Sequence, residues 1–271
     1  MGTGIVAGLW MVGILRSISP MAADTPTVRL DATQLAERLA AASETSPPDL
    51  AGVDLSGLDL TGVDFKRANL AGAQLAGAKL AGANLFSCDL TDAVASDAVL
   101  TKANMDGTVL RRADFQRADM EGASLFATIM EKTNLAGANL AGTRIIGYLR
   151  SANLAGASLK NSNAGADPGN QSMGVMRATF VGADLSGADL SGANLYKADF
   201  SHANLTGAKL QRANLENADL VQTDFGRADL TGARLAKANI EGANFRGAVG
   251  VSQILGLDQA RNRDKAIFDE K

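Results

Sequence analysis

The chain has 271 residues, with 26 Lys and Arg against 29 Asp and Glu, which gives a formal net charge of -3. This balance excludes a general nucleic-acid binder, because such proteins need a strongly basic surface. The single cysteine, Cys88, excludes an internal disulfide.

Residues 1–23 have the features of a secretory signal peptide. Gly4–Leu15 is apolar, and Ala22-Ala23 precedes Asp24 as a candidate cleavage point. The run is too short to span a bilayer comfortably but suits the apolar core of a signal. No Lys or Arg precedes it, and Met21 is a poor match to the small residue expected there. A periplasmic or secreted protein is therefore the first interpretation; an uncleaved membrane anchor or a tail on a cytoplasmic protein are the alternatives.

Residues 24–48 predict a short capping helix and a linker. Asp31 can cap the helix start with Gln34 reaching back, and Leu30 can pack on Leu35 as a hydrophobic staple. Pro47-Pro48 ends this segment. We expect the helix to cover the apolar end of the body that follows.

Residues 49–249 form the body of the chain and repeat with a period of five. A large aliphatic residue or Phe returns at nearly every fifth position, and a small residue stands two places earlier, as in Ala68-Asn69-Leu70-Ala71-Gly72. Residues two apart in an extended segment point to the same side. One unit buries too little to be stable alone, so successive units must stack into a solenoid. The predicted core includes Leu70, Leu90, Leu110, Phe115, Phe180, Leu190, Phe200, Phe225 and Phe245.

The fifth place of each unit predicts a corner. Gly72 and many other glycines stand there, which suits a type II turn with positive φ at its third residue. Elsewhere the place holds Arg67, Asp92 or Arg112, and at those corners a different turn type is expected.

The repeated Ala-(Asp/Asn)-Leu-X-X unit resembles the pentapeptide-repeat family. The resemblance implies an all-β solenoid, a right-handed quadrilateral β-helix with four units in each twenty-residue coil. Phe180 and Phe200 would then stack, as would Phe225 and Phe245. Cys88 stands at an inward position where alanine is usual, which predicts a buried structural thiol.

After Ile145 the repeat is irregular. The frame slips by one residue, which suggests a tight turn near Ile146-Gly147, and residues 160–174 lose the repeat and are rich in turn formers. We interpret residues 160–174 as a loop leaving one corner, either a neutral insertion or an interaction loop. Its candidate contact residues are Asn161, Asp167, Asn170, Gln171 and Met173.

Residues 250–271 leave the period and predict a C-terminal cap. Ile254, Leu255 and Leu257 can cover the last coil, and Ala266-Ile267-Phe268 resembles one further unit closing against it. In some members of the family that this chain resembles, the equivalent end makes a dimer, so a monomer and a dimer through the C-terminal end are both open.

No catalytic, metal or cofactor signature is present in the sequence. The only histidine, His202, follows an inward Phe and should point outward without a second ligand. We therefore expect no enzyme and no cofactor, but an exported scaffold that binds an unknown protein. The alternative is a DNA mimic that binds a type II topoisomerase, as implied by the family's fluoroquinolone-resistance members. No nucleic-acid partner is expected, and a membrane partner only if the N-terminal segment is uncleaved.

Export can be tested by intact mass spectrometry of the protein from its native source. Signal cleavage predicts a mature chain that begins near Asp24. A full-length product in the cytoplasm would contradict it.

Overall fold

The computed structural model describes residues 28–43, 45–166 and 176–270. The chain winds as a four-sided β-helix in which residues twenty positions apart pair in parallel, as Asp49 does with Asn69 and Asn69 with Asp89. Backbone bonds join the coils, for example from the Leu70 amide to the Asp89 carbonyl at 2.7 Å. The predicted all-β solenoid is confirmed.

Four flat faces run along the solenoid, each carrying one column of outward residues. Face 1 carries Asp49, Asn69, Asp89, Val109, Ile129, Tyr148, Thr179, Asp199, Asp219 and Asn239. The columns of face 2, face 3 and face 4 include Asp54, Asp59 and Asp64, respectively. The corner that follows each face along the chain takes the same number.

The inward columns form one continuous core. Its members include Leu70, Leu90, Leu110, Phe115, Phe180, Leu190, Phe200, Phe225 and Phe245, each at most 1% exposed. The Phe180 and Phe200 rings stack at 4.6 Å between centroids, and Phe225 and Phe245 at 5.0 Å. The predicted stacking of residues twenty apart is confirmed.

Of the three corners named for a different turn type, only the Arg67 corner differs, because Lys66 before it also has a positive φ of 50°, as in a type I′ turn. Arg112, where a different turn was predicted, has φ 58°, close to the 68° of Gly72. Both corners also close with a backbone bond to the preceding inward carbonyl, from Ala113 to Leu110 at 3.1 Å and from Ala73 to Leu70 at 3.0 Å. The repeated coil geometry imposes this left-handed residue even though it costs a non-glycine residue roughly 1 to 2 kcal/mol.

The helix α1, Ala32–Ala41, covers the first coil. The Asp31 carboxylate accepts from the Gln34 amide at 2.8 Å, and the Gln34 side chain accepts from the Asp31 amide at 3.0 Å, so the predicted capping box is present. Leu35 and Leu39 are buried on the face toward the core. At the other helix end, the Lys66 ammonium donates to the Leu39 carbonyl at 2.8 Å.

A short extended segment before α1 extends face 2 by one layer. The Leu30 amide donates to the Asp54 carbonyl at 3.1 Å, and the Asp54 amide donates to the Val28 carbonyl at 2.9 Å. This pairing protects an edge that would otherwise be open to another chain.

Two longer strands, β1 (Ser124–Ile129) and β2 (Arg144–Tyr148), pass around corner 4 in parallel. The expected tight turn at Ile146-Gly147 is wrong, because both residues lie within β2. The unit that contains Gly147 is one residue shorter than the unit below it, and Ala127 bulges out of β1 so that the two strands stay paired. A side chain at Gly147 would meet the Thr128 carbonyl oxygen at 2.5 Å, so this close approach requires glycine.

The repeat also continues further than predicted. Ser162 and Ala164 fill inward positions, and the Ala164 and Ala166 amides each bond to the next coil at 2.8 Å. The prediction that the loop starts at 160 is therefore wrong, because Ala164 replaces the usual Leu without ending the coil. The spacing between paired residues on face 4 is 19 positions at Arg144 and Asn163 but 31 at Asn163 and Asn194, so the insertion follows Ala166.

The C-terminal segment adds a coil with six-residue sides. Val249, Leu255, Arg261 and Ile267 pair with successive faces. Short 3-10 turns at Val251–Gln253, Leu257–Gln259 and Arg263–Lys265 provide the extra residue at each side. Phe268 stacks on Phe245 at 5.0 Å between centroids, so the expected closing unit is present.

The predicted signal peptide, residues 1–23, lies outside the described residues. Across 28–43, 45–166 and 176–270, no helix is both long enough and apolar enough to cross a membrane.

The inward assignment can be tested at Leu205, which is fully buried. Leu205→Ala should lower the free energy of unfolding by about 2 to 5 kcal/mol, since it removes buried methyl groups and leaves a cavity. Urea denaturation measures this change. The neighbouring outward variant Thr206→Ala should stay within about 0.5 kcal/mol, and equal effects of the two variants would contradict the assignment.

Candidate protein-interaction surface

The inward positions hold apolar or small side chains, so chemistry toward other molecules falls to the outer faces and corners. Cys88 is fully buried, and burial raises the pKa of its thiol to about 12. His202 is exposed at corner 1 with φ 61°. Within the described part of the chain, no group of three or more His, Cys, Asp or Glu is placed to hold a metal ion.

The Asp and Asn residues between the inward positions act structurally. The Asn69 side-chain oxygen accepts from the Ala71 amide at 3.1 Å, which braces the corner that follows. Asn amides also bond along the faces: Asn84 donates to Asp64, and Asn104 donates to Asn84, both at 3.0 Å. These side chains are thus engaged in ladders along the solenoid.

Face 1 interrupts its polar ladder for three consecutive coils. Val109, Ile129 and Tyr148 occupy the outward positions there, and we call them the apolar stripe. Tyr148 is 55% exposed, whereas Val109 and Ile129 are half-buried. The equivalent positions of faces 2, 3 and 4 in the same three coils carry polar residues, namely Asp114, Asn134, Asn153, Asp119, Asn139, Ser158, Ser124, Arg144 and Asn163.

An aromatic residue borders the apolar stripe at corner 4. An Asp106 carboxylate oxygen accepts from the Ser124 hydroxyl at 2.5 Å and from the Phe126 amide at 2.9 Å, which holds the start of β1. The Arg144 guanidinium lies over the Phe126 ring, 4.3 Å from its centroid. Corner 4 therefore presents a positioned aromatic ring here, as it also does at Phe86 and Tyr196.

Corner 1 borders the other side of the apolar stripe with four basic residues, which we call the basic corner: Arg111, Arg112, Lys132 and Arg150. Arg111 pairs with Glu131 at 3.2 Å. Arg112 donates two hydrogen bonds to Asp92, one of them at 2.7 Å.

Two residues of the basic corner keep their charge uncompensated. Lys132 and Arg150 are exposed, and neither forms an ion pair with any residue the structure describes. They lie in adjacent coils, because the Lys132 amide donates to the Arg150 carbonyl at 3.0 Å. The stripe is thus apolar at its centre and positive along one border.

Of the predicted interaction-loop residues, only Asn161 lies within the described part of the chain. Asn161 lies at corner 3 with φ 54°, and its amide bonds to Ser191 at 3.0 Å, so it belongs to the coil and not to a loop. Asp167, Asn170, Gln171 and Met173 lie outside the described residues.

Sequence reasoning missed the apolar stripe. Its signal was available, because Val109, Ile129 and Tyr148 stand where Asp or Asn is usual. The one-residue frame slip concealed that Tyr148 belongs to the same column as the other two.

A coil of this kind defines a parallel β-helix solenoid. The profile of the family described as pentapeptide repeats matches this chain in eight copies, over residues 49–85, 88–125, 176–212 and 208–247. The chain belongs to the pentapeptide-repeat family, whose fold is the right-handed quadrilateral β-helix. No curated protein sequence matches it.

Several solved structures are similar to this chain. HetL, a pentapeptide repeat protein involved in heterocyst differentiation regulation in the cyanobacterium Nostoc sp., is 31% identical, with 88% of this chain and 94% of HetL covered and a TM-score of 0.44. QnrB1, a plasmid-mediated fluoroquinolone resistance protein, is 14% identical, with 80% and 94% covered and a TM-score of 0.31. A protein of the Arabidopsis thaliana thylakoid lumen is 24% identical, with 69% and 70% covered and a TM-score of 0.22.

The ion pair at the basic corner predicts a pH response. Hydrogen bonds from Arg112 lower the pKa of Asp92, and those from Arg117 lower the pKa of Asp97. A lowered pKa in the folded state adds stability above the ordinary Asp value of about 3.9. That stability is lost as the pH falls through the lowered pKa.

In a carboxyl-carbon NMR titration, Arg112→Ala should raise the titration midpoint of Asp92 and leave that of Asp97 unchanged. A shift of both, or of neither, would contradict the pairing.

Proposed function

We propose that the protein is a non-catalytic scaffold that binds another protein through the apolar stripe of face 1. The observation that carries this proposal is the replacement of the polar ladder by Val109, Ile129 and Tyr148 in three consecutive coils. Each of the three exposes apolar surface where a neighbouring face exposes Asp, Asn, Ser or Arg. A partner would bury this surface and gain its hydrophobic stabilisation.

The border residues support the proposal. Tyr, Trp and Arg dominate the binding energy of protein interfaces, and Tyr148 stands half-exposed at the end of the stripe. A stable interface buries about 800 Å² on each partner. The three stripe residues alone are too small for that, so the contact would extend over Phe126 and the basic corner.

A rigid platform suits such a role. Backbone bonds to the coils above and below hold each stripe residue, as in the bond from the Leu110 amide to the Ile129 carbonyl at 2.7 Å. Binding would therefore order little of the scaffold and cost little conformational entropy.

We also propose that the scaffold is exported. The support is the apolar Gly4–Leu15 run followed by Ala22-Ala23.

The binding of a type II topoisomerase by DNA mimicry remains the alternative. A DNA mimic needs a continuous acidic surface, but along the described solenoid many carboxylates pair with cations. Asp97 pairs with Arg117, for example, and Asp199 and Asp219 both pair with Arg177. Inhibition of purified gyrase by the protein would favour this alternative.

Site-specific photo-crosslinking in the native source tests the scaffold proposal. A benzoylphenylalanine at position 148 should crosslink to a protein partner, and Ile129→Asp in the same chain should reduce the yield by about tenfold. The matched control is the same probe at Asn139, an outward position of face 3. Equal crosslinking at both positions, or none at 148, would contradict the proposal.

A further inference from the structure

We propose that the apolar stripe and the basic corner together bind an amphipathic α-helix of the partner, with acidic residues along one border. This inference rests on the proposed function and adds the chemistry of the partner. Two observations carry it: the spacing of the stripe residues and the position of the uncompensated cations.

The spacing of the stripe favours a helix over an extended segment. Val109, Ile129 and Tyr148 lie in successive paired coils, so they repeat about every 4.8 Å along the solenoid and span about 9.6 Å. In an α-helix, residues i+3 and i+7 lie about 4.5 and 10.5 Å along the axis from residue i. Alternate residues of a strand, which point to the same side, are spaced by about 6.7 Å. This spacing does not match the repeat of about 4.8 Å between coils.

The charges then orient the helix. Lys132 follows Ile129 by three positions and Arg150 follows Tyr148 by two, and both are exposed at corner 1. Adjacent like charges without a local counter-ion favour an anionic partner. Acidic side chains at i+1, i+4 and i+8 would project from the helix toward this corner, because they lie on the same flank of its apolar face.

The opposite border of the stripe suits the other flank of the helix. There the Phe126 ring, held against Arg144, offers an aromatic surface. On this side the Asp106 carboxylate is engaged by Ser124 and by the Phe126 amide. The acidic flank of the partner is thus drawn to the two exposed cations of corner 1 rather than to corner 4, where the Arg144 guanidinium lies over the Phe126 ring and a carboxylate, Asp106, stands beside it.

Fluorescence anisotropy with synthetic helical peptides tests the inference on the full chain. The probe carries Leu at i, i+3 and i+7 and Glu at i+1, i+4 and i+8. One comparison peptide replaces Glu by Lys, and another places the same leucines at i, i+2 and i+4. The Glu probe should bind more tightly than either, and its affinity should fall as salt is raised.

Variants of the chain locate the contact. Tyr148→Ala should lower the affinity of the chain for the Glu probe by about tenfold or more. The double variant Lys132→Glu with Arg150→Glu should reverse the preference toward the Lys peptide. The matched control is Lys102→Glu, which lies at corner 3 with φ 56°, against 57° for Lys132, and should leave binding unchanged.

The inference is overturned if no peptide binds at about 1 mM. It is equally overturned if the Glu and Lys peptides bind alike, or if Lys102→Glu acts as strongly as the double variant. Crosslinking at position 148 without a preference for the acidic helix would refute this inference alone and leave the scaffold role standing. Loss of crosslinking would remove both.

Discussion

Pairing of each coil with the next is the interaction on which the rest of this structure depends. Amides of one coil bond to carbonyls of the following coil at every side, as from Leu70 to Asp89 and from Leu90 to Val109 at 2.7 Å. This ladder satisfies the backbone while inward side chains merge into one core. A single coil has neither property, so stability belongs to the stack, and both ends need covering.

The departures from the five-residue period are solutions to that same constraint. The four-residue step at Gly147 keeps its pairing because Ala127 bulges out of the opposing strand. The six-residue sides of the last coil stay in register because a 3-10 turn takes up each extra residue. The insertion after Ala166 leaves the pairing of Asn163 with Asn194 intact. In each case the ladder is preserved and the corner changes.

The same constraint explains where function can lie. Asp and Asn brace corners and link coils along the faces, so their abundance is explained by their role in the fold. A break in that pattern is then informative, because the apolar stripe forgoes those polar bonds for three coils. The frame slip that distorts corner 4 lies beside the stripe, where Phe126 borders face 1.

The sequence by itself determined the solenoid, its inward columns and the helix cap, whereas the stacked Phe pairs followed from the resemblance to the pentapeptide-repeat family. Local patterns suffice there, because a residue's position within its own unit decides whether it faces in or out. Only the tertiary structure decided which units lie above one another once the period slips. The alignment of Tyr148 with Val109 and Ile129, and that of Arg150 with Lys132, both depend on that register. Register is set by backbone pairing between coils, which accumulates every bulge and extra residue along the chain and cannot be read from any one unit.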